Sequence, residues 1–473
     1  MSDADKILTR VQGLDALLQG GIPRGRSTLV TGRSGTGKTV FGLQLAANLA
    51  RSNTPVIVVA VEETPDDLRD SGDALGLDFT PLLAAGRLAL ADATRLDGHT
   101  IVAGDYDLDG LKHRLGALVQ KTGARAVILD SATALFSPRP PQDELRSHFF
   151  QLVAAMRSLE LTSVIIAEAQ HDYGQLTTLG VEDYVCDLTI ILRNIVDGAR
   201  RRRTIEVNKY RRSAHYKGEY PCTITPKGLS VFPVDTKEHV DPFPVERFSS
   251  GVDGLDEMTH GGWLRNSIII VRGPTGSGKT MLAGLYARAG ATRGERVVYY
   301  GFEEPQSILL RNYREIGMDM EPAIASGHLR VICRYAEAMS LEDLLVDLRM
   351  ELEELNPSLI VLDSISSIEH SSSERGFRQF MIGVAAILRE HGRTALMTQT
   401  VTAQRAAETS PYLSTIGDAI LSLDYSPTSY SLNREMRVIK TRGSSHEPSP
   451  YRLSIEAGGL AVTKMTPAEV LRR

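Results

Sequence analysis

The sequence predicts two tandem α/β domains, each built on a mostly parallel, doubly wound sheet. Three observations carry that prediction. Gly32–Thr39 reads GRSGTGKT and Gly273–Thr280 reads GPTGSGKT, two matches to the G-x-x-x-x-G-K-[ST] loop that cradles nucleotide phosphates. Apolar runs of strand length alternate with segments of helical spacing along both halves. The chain also repeats itself. GLDALLQGG (Gly13–Gly21) returns as GLDEMTHGG (Gly254–Gly262), 241 residues later, and the two phosphate loops are offset by the same 241 residues. A unit this long is a whole domain and not a solenoid repeat.

The elements follow in order. STLVTG (Ser27–Gly32) is a strand that runs into the first loop, and the segment after it has apolar residues at helical spacing, Val40, Leu43, Ala47 and Ala50. PVIVVAVEE (Pro55–Glu63), RAVILDSATALF (Arg125–Phe136) and TSVIIAEAQ (Thr162–Gln170) read as further strands. Continuous Val/Ile/Leu runs suit parallel strands buried on both faces. The second half follows with SIIIVRG, RVVYYGFEE, SLIVLDSISSI and TALMTQT. The seam is PVDTKEHVDPFPVERF (Pro233–Phe248), whose three prolines favour an extended connector. The expected boundaries are 1–235 for the first domain, 236–248 for a linker, and 249–473 for the second domain with a short tail.

Composition narrows the class. A 42% apolar and 23% charged chain of 473 residues is ordinary globular protein. A net charge of −5 argues against non-specific binding to nucleic acid or acidic membranes. Cys186, Cys222 and Cys333 form no zinc or C-x-x-C spacing and read as reduced thiols. With no apolar leader and no membrane-length apolar run, a cytoplasmic location is expected.

The loops assign nucleotide contacts to Gly32, Ser34, Gly35, Thr36, Gly37 and Lys38, and to Gly273, Thr275, Gly276, Ser277, Gly278 and Lys279. Backbone N–H groups and the following helix N-terminus meet the phosphates, and the lysines reach the β- and γ-phosphates. Thr39 and Thr280 place hydroxyls on Mg²⁺. Asp130 and Asp363 end the strands AVILD and LIVLD, where an acid holds the same metal. An Asp that only caps the next turn is the plainer alternative. Glu62–Glu63 and Glu303–Glu304, again 241 residues apart, sit at the end of the strand between loop and aspartate. There they would face the γ-phosphate as catalytic acids that orient or deprotonate a nucleophile. Lys209/Arg211 and Lys440/Arg442 form K-x-R pairs that could meet developing negative charge. A solvated basic edge explains them as well. The run Arg200–Arg203 reads as a solvated, edge-protecting face.

Taken together, these residues resemble the RecA-like ATPases and, within them, the KaiC family, over about residues 8–460. The resemblance implies ATP and Mg²⁺ as cofactors and a homohexamer with ATP at its subunit interfaces. It also implies slow hydrolysis in the first domain and reversible serine/threonine autophosphorylation of a neighbour in the second. The family's acceptors precede a D-x-I-x-x-L strand. By that register Ser414 and Thr415, in TSPYLSTIGDAILSL, are the phosphorylation sites, with Thr409 as an accessory threonine. Aligning Asp187 with Asp418 sets Asp183–Tyr184 against that pair, so the first domain lacks the acceptors. Glu303 would be the base, supported by Glu304, whereas Glu62 and Glu63 would position water. Two departures stand out. Arg212 replaces the glycine of K-x-R-G-[ST], which puts the local turn in question. The chain also ends at Arg473, short of the family's regulatory tail, which argues against a KaiA-type activator. Thr100–Leu115 resembles the segment used by the partner KaiB and leaves a KaiB-like partner open.

Two rivals share these motifs: a RecA- or helicase-like DNA motor, and a ring scaffold that binds ATP without kinase activity. A motor calls for a basic stripe or a DNA-binding module, and neither is evident.

Overall fold

The computed structural model describes residues 5–93, 108–136, 141–197, 200–226, 228–233, 246–402, 411–427, 432–456 and 458–466. Thr409, the first half of the KaiB-like segment and most of the proline-rich seam lie outside the described residues. The chain divides into two compact units, Met1–Val196 with Arg201–Asp235, and Thr236–Arg473 with Asp197–Arg200.

The first unit is organised by one nine-stranded sheet. Its strands are β1 (Ser27–Gly32), β2 (Val56–Ala60), β3 (Leu88–Asp92), β4 (Ala126–Asp130), β5 (Thr162–Glu168), β6 (Leu188–Asp197), β7 (Arg200–Tyr210), β8 (Glu219–Thr225) and β9 (Gly228–Val231). Their order is β9-β8-β7-β6-β1-β5-β4-β2-β3. The six from β6 to β3 run parallel, and β8 pairs antiparallel with β7 and β9. Strands β1 and β2 are buried at every residue, as their unbroken apolar runs require.

The second unit repeats this plan. Its strands are β10 (Ile268–Gly273), β11 (Val297–Gly301), β12 (Leu329–Cys333), β13 (Leu359–Asp363), β14 (Thr394–Thr400), β15 (Ala419–Pro427), β16 (Leu432–Thr441), β17 (Tyr451–Glu456) and β18 (Gly459–Lys464). The order β18-β17-β16-β15-β10-β14-β13-β11-β12 matches the first sheet strand for strand. Both units are therefore the doubly wound α/β domains that the loops and repeat predict. In such sheets ligands sit beyond the carboxyl ends of the parallel strands, and both phosphate loops leave from that end of β1 and β10.

Two strands are shorter than their apolar runs. SATALF and SISSI break away as short helices, Ala132–Leu135 and Ile365–His370. In the first, the Ser131 hydroxyl accepts from Ala134 N–H and stops the strand with a cap. Among the described residues no helix is long and apolar enough to cross a membrane.

Candidate functional site

Each phosphate loop turns into its helix through a glycine in the left-handed region, Gly37 (φ 101°) and Gly278 (φ 106°), where a side chain would be strained. The helices that follow, Lys38–Arg51 and Lys279–Thr292, aim their N-termini at the loop. The Lys38 ammonium donates to the Arg33 carbonyl at 2.9 Å. Lys279 donates to Gly273 at 3.0 Å and Pro274 at 2.9 Å. Burial holds both ammonium groups below their ordinary value, opposed by carboxylates including Asp130 and Glu62 in the first site and Asp363 and Glu303 in the second.

The two metal-site candidates come together in each unit. The Thr39 hydroxyl hydrogen-bonds Asp130. The Thr280 hydroxyl lies 3.4 Å from Asp363 Oδ1. A hydroxyl and a carboxylate oxygen beside a phosphate loop are the hard donor set that suits Mg²⁺. Burial pushes the Asp130 carboxyl up to about 6, helped by Glu63 and Glu62 and opposed by the Thr39 hydrogen bond.

The paired glutamates lie just beyond the strands, which end at Ala60 and Gly301. In the first unit, Thr64 caps the next helix in a reciprocal box with Asp67 and turns the chain there. Glu62 accepts from the Ser131 hydroxyl at 3.0 Å. Glu303 accepts from two hydroxyls, Ser364 at 2.8 Å and Ser367 at 3.2 Å, and Glu304 accepts from Asn312 at 3.1 Å. Burial raises both second glutamates, Glu63 and Glu304, reinforced by neighbouring carboxylates.

The K-x-R pairs meet a different segment. Lys440 donates to the carbonyls of Ser414 and Gly417, and Arg442 to that of Thr415 at 2.6 Å. In the first unit Lys209 donates to the Asp183 carbonyl, and Arg211 to that of Tyr184 at 2.8 Å. Each lysine lies on a strand and each arginine is one residue past its end. Four of these five carbonyl partners, all but Gly417, independently reproduce the 231-residue register that sets Asp183–Tyr184 against Ser414–Thr415. Thr415 is exposed and Ser414 half-buried, on the helix Pro411–Ile416. Beside Arg211 lies a cleft of about 860 Å³ whose lining includes Arg26, Arg146, Arg157, Tyr184 and Arg212 but no residue of its own unit's phosphate loop. Arg212 adopts φ 64°, close to the 67° of Gly443 at the matching position, so the turn survives the missing glycine.

The sequence reading missed the layer behind Asp363. The Tyr299 hydroxyl donates to Asp363 Oδ2 at 2.6 Å and meets the Tyr313 hydroxyl at 2.9 Å. The single Tyr313 proton is shared between the Tyr299 oxygen and the Thr280 carbonyl, 2.8 Å away, and Thr398 donates to Asp363 Oδ1. Laying one half over the other exposes the signal, because Tyr299 falls on Val58 and Tyr313 on Gly72.

A family model described as "ATPase: KaiC" matches the chain twice, over residues 7–236 and 248–466. The "Circadian clock oscillator protein KaiC" of Picosynechococcus sp. is 38% identical over 460 residues, covering 97% of this chain and 89% of that protein. A protein of the same description from Synechococcus elongatus is 38% identical over 457 residues, covering 96% and 88%. "Circadian clock oscillator protein KaiC 1" of Synechocystis sp. is 37% identical over 457 residues, again covering 96% and 88%.

Proposed function

The chain belongs to the KaiC ATPase family, and from that premise we propose a division of labour between its two domains. The first hydrolyses ATP slowly. The second transfers the γ-phosphoryl group of ATP to Ser414 and Thr415 of an adjacent copy, within a cytoplasmic homohexamer. One observation carries the reading: Lys440 and Arg442 are tied to the carbonyls of the acceptor pair. Acceptors and K-x-R pair therefore form one face, suited to receive a neighbour's nucleotide.

In the second domain Glu303 takes the proton from the acceptor hydroxyl. The hydroxyl oxygen bonds to the γ-phosphorus as the bond to the bridging oxygen breaks, and ADP leaves. Ser364 and Ser367 fix the orientation of the base. The loop amides and Lys279 bind the transferring charge. Mg²⁺, held by Thr280 and Asp363 or by Thr39 and Asp130, would neutralise charge on the phosphate oxygens. In the first domain Glu62 and Glu63 orient water instead, since Asp183 and Tyr184 stand where the acceptors would be. A KaiB-like partner on the first domain is compatible with this scheme.

Incubation with Mg-ATP, followed by tandem mass spectrometry and light scattering, tests the proposal. Slow, DNA-indifferent hydrolysis, ATP-dependent hexamers and phosphate on Ser414 or Thr415 are expected. Assembly without phosphoprotein would point to a scaffold, and strong stimulation by DNA to a motor.

A further inference from the structure

A buried arginine closes the strand that enters the second phosphate loop. Arg272 immediately precedes Gly273 and is 3% exposed. Its Nε donates to Oε1 of Gln399, its register partner on β14, at 3.0 Å. Gln399 Nε2 donates to Glu369 Oε2 at 3.0 Å, and the other Glu369 oxygen accepts from the Tyr412 hydroxyl at 3.1 Å. Tyr412 stands on the helix Pro411–Ile416, which carries Ser414 and Thr415, and its ring packs edge-on against Phe377 at 6.0 Å. A polar thread thus runs from the loop strand to the acceptor helix.

The first domain fills the same four places with Thr31, Ala167, Phe136 and Val181. The last three are buried together in an apolar cluster. The fold therefore does not require the polar set. Burying an arginine and an amide is unfavourable unless every group finds a partner, whereas the apolar set closes the same space without that demand. What differs at the far end of the thread is the helix itself, which bears Ser414 and Thr415 in one domain and Asp183 and Tyr184 in the other.

We propose that Arg272, Gln399, Glu369 and Tyr412 are positioning residues that seat the acceptor helix against the phosphate-loop strand and fix how its two hydroxyls are presented. The inference rests on the reading of Ser414 and Thr415 as phosphoryl acceptors. Small displacements of a reacting group weigh heavily on rate, so the thread acts on phosphorylation without touching the reacting atoms.

Tyr412→Phe removes one hydroxyl and keeps the ring on Phe377. In the full chain with Mg-ATP, phosphate incorporation should fall roughly tenfold or more, with a changed ratio of Ser414 to Thr415. ATP binding and first-domain hydrolysis should stay as in wild type. A merely structural role would lower the melting midpoint but leave the site ratio alone. The combined change Arg272→Thr, Gln399→Ala, Glu369→Phe and Tyr412→Val copies the first domain and should bind ATP while losing phosphorylation. If that graft does not fold, Tyr412→Phe still decides. Wild-type rate and ratio in Tyr412→Phe overturn the proposal. Wild-type protein without phosphate on either residue would sink the acceptor reading instead. In that case amide hydrogen exchange over 412–416 judges the thread: roughly tenfold faster exchange in Tyr412→Phe supports it, and unchanged exchange overturns it.

Discussion

In the second domain the aspartate that ends β13 is held from behind by hydroxyls, and in the first its counterpart at the end of β4 has apolar residues in their place. Asp363 accepts from Tyr299, Thr398 and Thr280. The residues matching Tyr299 and Thr398 in the first domain are Val58 and Ile166. The space is also filled from different directions. A Cβ on Gly284 would come within 2.4 Å of the Tyr313 ring, so that glycine makes room for the tyrosine. A Cβ on Gly72, the counterpart of Tyr313, would come within 2.4 Å of Phe79. One backbone thus carries two packings of nearly opposite polarity. The loops and paired glutamates barely differ between halves, and the divergence lies in the layer behind them. There the second domain ties Asp363 to its own loop through Tyr299, Tyr313 and the Thr280 carbonyl, while Asp130 leans on Thr39.

The strongest way to break this comparison is to exchange carboxylates for amides in each half. Glu303→Gln should slow phosphorylation of Ser414 and Thr415 by roughly 10²–10⁴-fold, the usual range for loss of a general base. It should leave first-domain hydrolysis and ring assembly in place. Glu62→Gln with Glu63→Gln should do the reverse, removing most steady-state hydrolysis while phosphate still accumulates. Parallel phosphate-release and mass-spectrometric assays read both. If the two variants lose the same activity, the division of labour is wrong.

A smaller effect sharpens the contrast behind the aspartates. Tyr299→Phe leaves Asp363 Oδ2 buried without that donor, which should destabilise the second domain by about 1–3 kcal/mol. Burial already raises the Asp363 carboxyl, against the opposing hydrogen bonds from Thr398, Tyr299 and Thr280. Removing one donor raises it further. A carboxyl whose folded value is raised favours the folded state at low pH, and that advantage is lost as pH rises through the folded value. The penalty in metal-free protein should therefore grow as pH rises, as denaturant melts across a pH series would read. Equal penalties would mean that the tyrosine serves packing alone.

Much of this site is legible in the sequence, because loops, acids and aspartates are punctuated by glycine or by strand ends and recur at a fixed offset. Tyr299 and Tyr313 are not legible in that way. In RVVYYGFEE the two tyrosines look alike, yet Tyr299 reaches Asp363 while Tyr300 stacks on Phe302. Only strand pairing decides which side each takes. Arg272 did leave a mark, a charge at the end of SIIIVRG, but its partners come from a strand and two helices more than 90 residues further along the chain. The K-x-R pairs show the same limit: their spacing suggests a shared face, and the structure alone supplies the carbonyls they hold.

The smallest expected effect concerns the turn after each K-x-R pair. Arg212 and Gly443 occupy equivalent places at φ 64° and 67°. A residue with a Cβ is strained there by about 1–2 kcal/mol, and glycine is not. Space does not explain the difference, since a Cβ built on Gly443 meets nothing within 4 Å. Gly443→Arg should therefore fold with the same turn and lose about 1 kcal/mol from backbone strain alone. Arg212→Gly should regain a similar amount, less whatever the side chain contributes to the cleft beside Arg211. Urea melts of the two variants measure both terms. If Gly443→Arg costs nothing, the left-handed turn is not strained. If it costs about 1 kcal/mol and Arg212→Gly gains nothing, the Arg212 side chain offsets its own backbone strain. The cleft face of the first domain would then be where that arginine works.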